Sequence, residues 1–288
     1  MSVKIIQDRL NQYDCKTSME EENAIKEITQ EIVLMALSRT DFFKKAEFHG
    51  GTALRILHGL ERFSEDLYFA LLLSDDFFSL DYYLIKIKDE LDYYGYQLEV
   101  RAIGKEDKVV KTGLLKDNTL VQMLGLEHSN IALQRQKIRI KLEVDTHPPL
   151  GANTHIQYCD FPLSFAILAK DLPSSFSGKI HALLCRKYTK GRDWYDFIWY
   201  VSRKVPVNLN LLTNAIEQSG PWAQQCIQVT TLWMIEALKN KIRHIDWQHA
   251  KKDVEPFLRP QELLSLDVWS EPYFLALLDK LRNSLKTK

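Results

Sequence analysis

The amino-acid sequence predicts an α+β fold: a mixed β-sheet with flanking helices across residues 1–165, then an all-helical domain across residues 166–288. Three observations carry that expectation. Ile138–Asp145 alternates without a break, with Ile138, Ile140, Leu142 and Val144 on one face and Arg139, Lys141, Glu143 and Asp145 on the other. That is the two-residue period of a strand buried on one side. The paired glycines Gly50-Gly51 sit between a short apolar stretch and an amphipathic one, as a strand-turn-helix junction would. After Asp160 the strand signals fade and helical spacing takes over to the end of the chain.

Taken in order, Glu20–Ser38 carries Ile25, Ile28, Ile32, Met35 and Ala36 at helical spacing. A short strand enters the glycine turn, and a helix follows from Thr52 to about Leu60 with Ala53, Leu54 and Leu57 inward. Asp66–Leu71 alternates again: Asp66, Tyr68 and Ala70 face one way, Leu67, Phe69 and Leu71 the other. Leu80–Tyr94 returns to helical spacing and Gly95 stops it. Tyr96–Ile103 and Thr119–Leu126 read as strands, with Gly104–Asp117 as a polar arm between them. The prolines Pro148-Pro149 end the strand at Asp145. Helices are then expected at Lys179–Lys190, Arg192–Arg203, Leu209–Gln218, Trp222–Lys239, Asp246–Phe257 and Pro272–Leu285.

The 288 residues are 45% hydrophobic and 26% charged, the make-up of a soluble globular chain. Basic and acidic residues number 38 each, so any contact with nucleic acid has to come from a local patch and not from a global field. Cys15, Cys159, Cys185 and Cys226 are far apart and include no C-x-x-C pair, which predicts reduced thiols. With no signal-peptide pattern at the N-terminus and no apolar run of membrane-spanning length, the expected location is the cytoplasm, away from any membrane.

The chemistry concentrates in three places. Adjacent glycines ahead of a helix bring backbone amides close to a phosphate, and the helix start adds partial positive charge. Asp66, at the start of the next strand, either holds a divalent ion against that phosphate or caps the strand end with Arg62 as partner. Glu143 and Asp145 share one strand face; they form a metal site if that strand neighbours Asp66–Leu71, or else belong to a solvated face with Arg139 and Lys141. Lys179, Arg186 and Lys190 fall on one helical face with Leu183, and Lys187 and Arg192 lie close by with no acid among them. Such a face grips a triphosphate or an RNA backbone, or is merely solvated. Asp193 and Asp196 follow one helical turn apart, and Asp193 also suits the helix dipole. The histidines form no H-E-x-x-H, and neither a G-x-S-x-G elbow nor a P-loop is present, so zinc, a hydrolase triad and a P-loop ATPase lack support.

Three ordered blocks resemble the AbiEii/AbiGii-type toxin nucleotidyltransferases of the DNA polymerase beta-like superfamily. The first is Phe48-His49-Gly50-Gly51-Thr52-Ala53-Leu54 with Arg62-Phe63-Ser64-Glu65-Asp66-Leu67; the second is Ile140–Thr146 running into Pro148-Pro149. The third joins Ser177–Leu184 to Lys190-Gly191-Arg192-Asp193-Trp194-Tyr195-Asp196. The resemblance implies a nucleotidyltransferase-like sheet, a helical domain contributing to the active-site cleft, and Mg²⁺-dependent transfer of a nucleotide from a nucleoside triphosphate. It implies an RNA acceptor, tRNA in the toxins of the family, and a separately encoded antitoxin. By residue it implies Asp66, Lys179, Asp193 and Asp196 as catalytic, and Gly50, Gly51, Thr52, Ser64, Arg186 and Arg192 as nucleotide-binding. Asp66, Glu143 and Asp145 are the implied metal ligands, with two ions as one possibility.

One position departs from the family pattern. Where the family has Asp-x-Asp, this chain has Asp66-Leu67-Tyr68, and a neutral phenol is a poor Mg²⁺ ligand. Three outcomes stay open: Glu143 or Asp145 compensates, one metal suffices, or the protein binds nucleotide without turnover.

Overall fold

The structure is a computed structural model that describes residues 2–103, 109–117, 120–128 and 138–286. Its elements are, in order, α1 (Ser2–Asn11), α2 (Ser18–Ser38), α3 (Phe42–Lys45), β1 (Ala46–His49), α4 (Gly50–His58), β2 (Leu67–Leu71) and α5 (Asp81–Tyr93). Next come β3 (Glu99–Ile103), β4 (Val110–Asp117), α6 (Leu120–Met123), β5 (Ile138–Asp145), β6 (Thr154–Cys159) and β7 (Phe165–Lys170). The helices α7 (Leu172–Cys185), α8 (Gly191–Ser202), α9 (Leu209–Gln218), α10 (Thr231–Ile242), α11 (Trp247–Val254) and α12 (Glu271–Lys286) complete the chain. Contacts divide it into a sheet unit, residues 1–59, 63–148 and 155–169, and a helical unit, residues 60–62, 149–154 and 170–288.

Among the described residues the sheet unit is built on seven strands in the order β3-β4-β5-β2-β1-β7-β6. β2 runs parallel to β5 and antiparallel to β1, β1 runs parallel to β7, and β4 is antiparallel to both β3 and β5. The sheet is therefore mixed, as expected. One face carries Phe48, Leu67, Phe69, Ile140, Leu142 and Val144, all buried with the core residues of α2 and α5. α2 starts at Thr17, whose hydroxyl accepts the Glu20 amide at 3.2 Å, while the Glu20 carboxylate accepts the Lys16 amide at 2.8 Å. This is close to a capping box, and it fixes the start of the most buried helix in the unit.

The helical unit packs around aromatic side chains. Trp247 stacks on Phe274 with ring centroids 4.1 Å apart, Trp194 meets both edge-on, and Phe176 stacks on Tyr200 at 4.5 Å. α7 begins at Asp171, whose carboxylate accepts the Ser174 amide at 2.8 Å, with proline in its first turn.

Several expectations need correction. The strand expected over Thr119–Leu126 contains the helical turn α6 at Leu120–Met123, with Thr119 outside the described residues. In the polar arm expected over Gly104–Asp117, residues 104–108 lie outside the described residues, and Val110–Asp117 is the strand β4. Strands do not end at Asp160, because β7 follows it and β6 precedes it unannounced. The helix expected over Lys179–Lys190 runs over Leu172–Cys185 instead, and Arg186 leaves it with extended backbone.

Candidate active site

In the sheet unit, the first turn of α4 meets the start of β2. His49 precedes α4 with extended backbone and makes no capping side-chain hydrogen bond to the amides that open the helix at Gly50, Gly51 and Thr52. Gly50 has φ +87°, and a Cβ there would lie 3.2 Å from the Tyr68 ring, so glycine is what lets this turn approach β2. Thr52 is fully buried; its hydroxyl lies 2.8 Å from the Ser64 hydroxyl and 2.5 Å from the Asp66 carbonyl. A carbonyl only accepts and a hydroxyl has one proton, so Thr52 donates to Asp66 and Ser64 donates to Thr52. From α2, the buried Gln30 amide donates to the Ser64 carbonyl at 3.0 Å and to the Glu65 carbonyl at 2.8 Å. Thr52, Ser64 and Gln30 together hold the loop that delivers Asp66.

Cross-strand partners share a face, and the register sets His49 beside Tyr68 and Tyr68 beside Glu143. The polar faces of β2 and β5 are thus neighbours. The Tyr68 hydroxyl donates to Asp66 Oδ2 at 3.1 Å, and Lys141 pairs with Glu143. Burial and the charge of Glu65 raise the Asp66 carboxyl above its ordinary range, against the Tyr68 hydrogen bond and Lys141, with Glu143 adding repulsion. Asp145 pairs in register with Ala70, one pleat further along, and accepts the His147 amide at 3.0 Å. Two coupled carboxylates on adjacent strands are a donor set that fits a hard divalent cation completed by water and phosphate oxygens.

The helical unit holds the second group. Lys179 Nζ lies 2.7 Å from Asp193 Oδ1 and 2.8 Å from Asp196 Oδ2. Arg62 grips Asp196 with Nε and Nη2, both at 2.7 Å, and Arg186 Nε lies 3.3 Å from Asp193 Oδ2. Burial opposes the charges of Lys179 and Asp193, and their partners outweigh it: Lys179 and Arg186 hold Asp193 below its ordinary range, while Asp193 and Asp196 hold Lys179 above its own. Lys190 is lowered by burial and by the charge of Arg192. Arg192 lies over the Phe257 ring at 4.1 Å and pairs with Asp253 at 3.7 Å. Arg62, Lys179, Arg186, Lys190 and Arg192 face the three carboxylates Asp193, Asp196 and Asp253, which leaves an excess of positive charge suited to an anion.

The sequence-derived site residues therefore fall into two groups. Gly50, Gly51, Thr52, Ser64, Asp66 and Glu143 gather in the sheet unit, with Asp145 on the same face and further along. Lys179, Arg186, Asp193 and Asp196 gather in the helical unit, with Arg192 tied to Asp253 and Phe257. The single basic helical face does not form, because α7 stops at Cys185 and leaves Arg186 and Lys190 off the helix. Gln30 carries no local signal of its role, and Arg62, which the sequence offers as a partner for Asp66, binds Asp196 instead.

Several solved structures share the fold. JHP933 from Helicobacter pylori superposes with a TM-score of 0.51 at 15% identity, covering 93% of this chain and 93% of its own. MenT4, a nucleotidyltransferase toxin from Mycobacterium tuberculosis H37Rv, gives a TM-score of 0.51 at 14% identity, covering 98% of this chain and 99% of its own. No curated protein sequence matches. The family model described as "Nucleotidyl transferase AbiEii toxin, Type IV TA system" matches residues 32–280. The chain belongs to that family: it is a nucleotidyltransferase of the AbiEii toxin type, which implies a nucleoside triphosphate substrate and a cognate antitoxin.

Proposed function

We propose that this toxin transfers a nucleotide from a nucleoside triphosphate to an RNA acceptor, tRNA, in a Mg²⁺-dependent reaction. The observation that carries the reading is the glycine turn, which has no side-chain cap from His49 and is hydrogen-bonded through the Thr52 hydroxyl to the backbone carbonyl of Asp66. The amides of that turn would bind phosphate oxygens while Asp66 and Glu143 hold the cation, which supplies charge neutralisation at the phosphates when bound. Thr52, Ser64 and Gln30 fix where the Asp66 carboxylate stands. Lys179 and Arg186 supply positive charge in the helical unit, and Asp193 and Asp196 keep the Lys179 ammonium in place. Positioning and charge stabilisation would account for most of the rate, as expected for attack by an RNA hydroxyl on a phosphoryl centre.

The test is direct. Purified protein is incubated with Mg²⁺, each labelled nucleoside triphosphate in turn and total tRNA. Label on tRNA that depends on Mg²⁺ and disappears in Asp66→Ala is the expected result. Saturable triphosphate binding with no label on any RNA would instead support a binding protein weakened by Tyr68. Among the described residues no helix is long and apolar enough to cross a membrane.

A further inference from the structure

We propose that the sheet unit holds one divalent cation, on Asp66 and Glu143, and that Tyr68 occupies the ground on which a second ion would stand. The inference rests on the metal-dependent reading above and concerns how many ions the site admits. A two-ion clamp needs ions about 3.5–4 Å apart with carboxylates that reach both. Alternate positions on one strand would provide them, because such side chains share a face. Here the position two beyond Asp66 is Tyr68, and its side chain is committed. Its hydroxyl proton goes to Asp66 Oδ2 at 3.1 Å, which uses one of the carboxylate's acceptor directions. Its ring backs onto Gly50, where a single added Cβ would come within 3.2 Å, so the phenol has little room to withdraw towards the turn.

The other acids do not replace it. Glu143 is level with Tyr68 across the β2–β5 ladder, the residue whose hydroxyl reaches Asp66, and is paired with Lys141. That makes it a partner to Asp66 for one ion. Asp145 stands level with Ala70, two residues or about 7 Å further along the strand by the ordinary strand rise, and its carboxylate accepts the His147 amide. Among the described residues no three of His, Cys, Asp and Glu converge as a metal cluster. Two carboxylates, water and substrate phosphate are enough for Mg²⁺, which keeps much of its hydration and seldom uses an all-protein cage.

The probe is Mn²⁺ alone, without nucleotide, titrated into the full chain while the electron paramagnetic resonance signal of free ion counts what the protein removes. Wild type is expected to bind one ion per chain, Asp66→Asn to lose it, Tyr68→Phe to keep one, and Tyr68→Asp to bind two. Circular dichroism checks that each variant folds. Two ions or none in wild type, two in Tyr68→Phe, or still one in a folded Tyr68→Asp would overturn the proposal. A count of one with no labelling of RNA would defeat the transfer reading and leave this inference intact, so the two failures are told apart.

Discussion

Arg62 and Asp196 lie 134 positions apart in the sequence, and the guanidinium meets the carboxylate through two hydrogen bonds of 2.7 Å with almost no solvent reaching either side chain. A pair this buried is costly to break from one side, because the surviving charge stays desolvated. Asp196→Ala is therefore expected to destabilise the protein by about 3–5 kcal/mol, measured by urea unfolding. Removing Arg62 as well should recover part of that loss, since Lys179 keeps Asp193 as its partner. If Asp196→Ala unfolds at the wild-type denaturant concentration, the pair is not what holds this part of the helical unit. The consequence for function is that loss of transfer in Asp196→Ala cannot by itself be read as a catalytic role.

Thr52→Val keeps the shape of the side chain and removes the only proton available to the Asp66 carbonyl from that position. The change leaves buried polar groups at Asp66 and Ser64 without their partner, a cost of about 1–3 kcal/mol. It should also lower transfer by more than its effect on stability suggests, because a carboxylate displaced by about 1 Å can cost on the order of a hundredfold in rate. Thr52→Ser retains the hydroxyl and should transfer at close to the wild-type rate. Equal transfer by the valine and serine variants would show that this hydrogen bond does not position Asp66.

These residues also show where the sequence was legible. β5 occupies the expected Ile138–Asp145 because its alternation is unbroken and its apolar face is fully covered, so local pattern and tertiary burial agree. α9 likewise matches Leu209–Gln218, helped by Asn208 accepting the Leu211 amide at 3.0 Å. β7, by contrast, is the continuous run Phe165-Ala166-Ile167-Leu168-Ala169, which has no period to separate a strand from a helix. β6 misleads in another way: it lies at the sheet edge, and its apolar Ile156 and Tyr158 are the exposed ones. Of the candidate site residues, Gly50, Gly51 and Asp66 stand out in the sequence through motif chemistry. Gln30 does not, because its two hydrogen bonds reach 34 and 35 positions along the chain and leave no trace in local spacing. The basic face failed for a related reason: spacing alone cannot say that α7 ends at Cys185.

Gly191 is required by packing in the helical unit. A Cβ on it would fall 1.8 Å from the Ala250 carbonyl oxygen, and a backbone atom cannot rotate away as a side chain would. Gly191→Ala must push α8 away from α11, which is expected to cost about 1–3 kcal/mol or more. Because Asp193 lies in the first turn of α8, the shift should also disturb its 2.7 Å contact with Lys179. The expected observation is a clear drop in melting temperature. Alanine at 191 with an unchanged melting point would mean that the two helices do not pack this closely.

The last prediction concerns pH and the buried carboxylates Glu27 and Glu31 with their partly buried partners Arg9, Tyr13 and Arg55 in the sheet unit. Arg9 lies 2.8 Å from Glu31 and Arg55 lies 2.7 Å from Glu27. Burial nevertheless pushes the Glu31 carboxyl up to about 7, with the charge of Arg9 opposing and that of Glu27 assisting. Its ordinary value is 4.5, so between pH 4.5 and about 7 the folded chain keeps a proton that the unfolded chain has released. Proton binding is then greater in the folded state, and stability must fall as pH rises through that window and level off above it. One proton held across the window is worth about 1.4 kcal/mol for each pH unit, so the loss is on the order of 3 kcal/mol. Glu31→Gln cannot ionise, and Arg9 is exposed enough to remain hydrated, so the variant should show a flatter stability profile from about pH 5 to 8 than wild type. Urea unfolding across that range measures it, and parallel profiles for the two proteins would show that Glu31 is already ionised at the acid end.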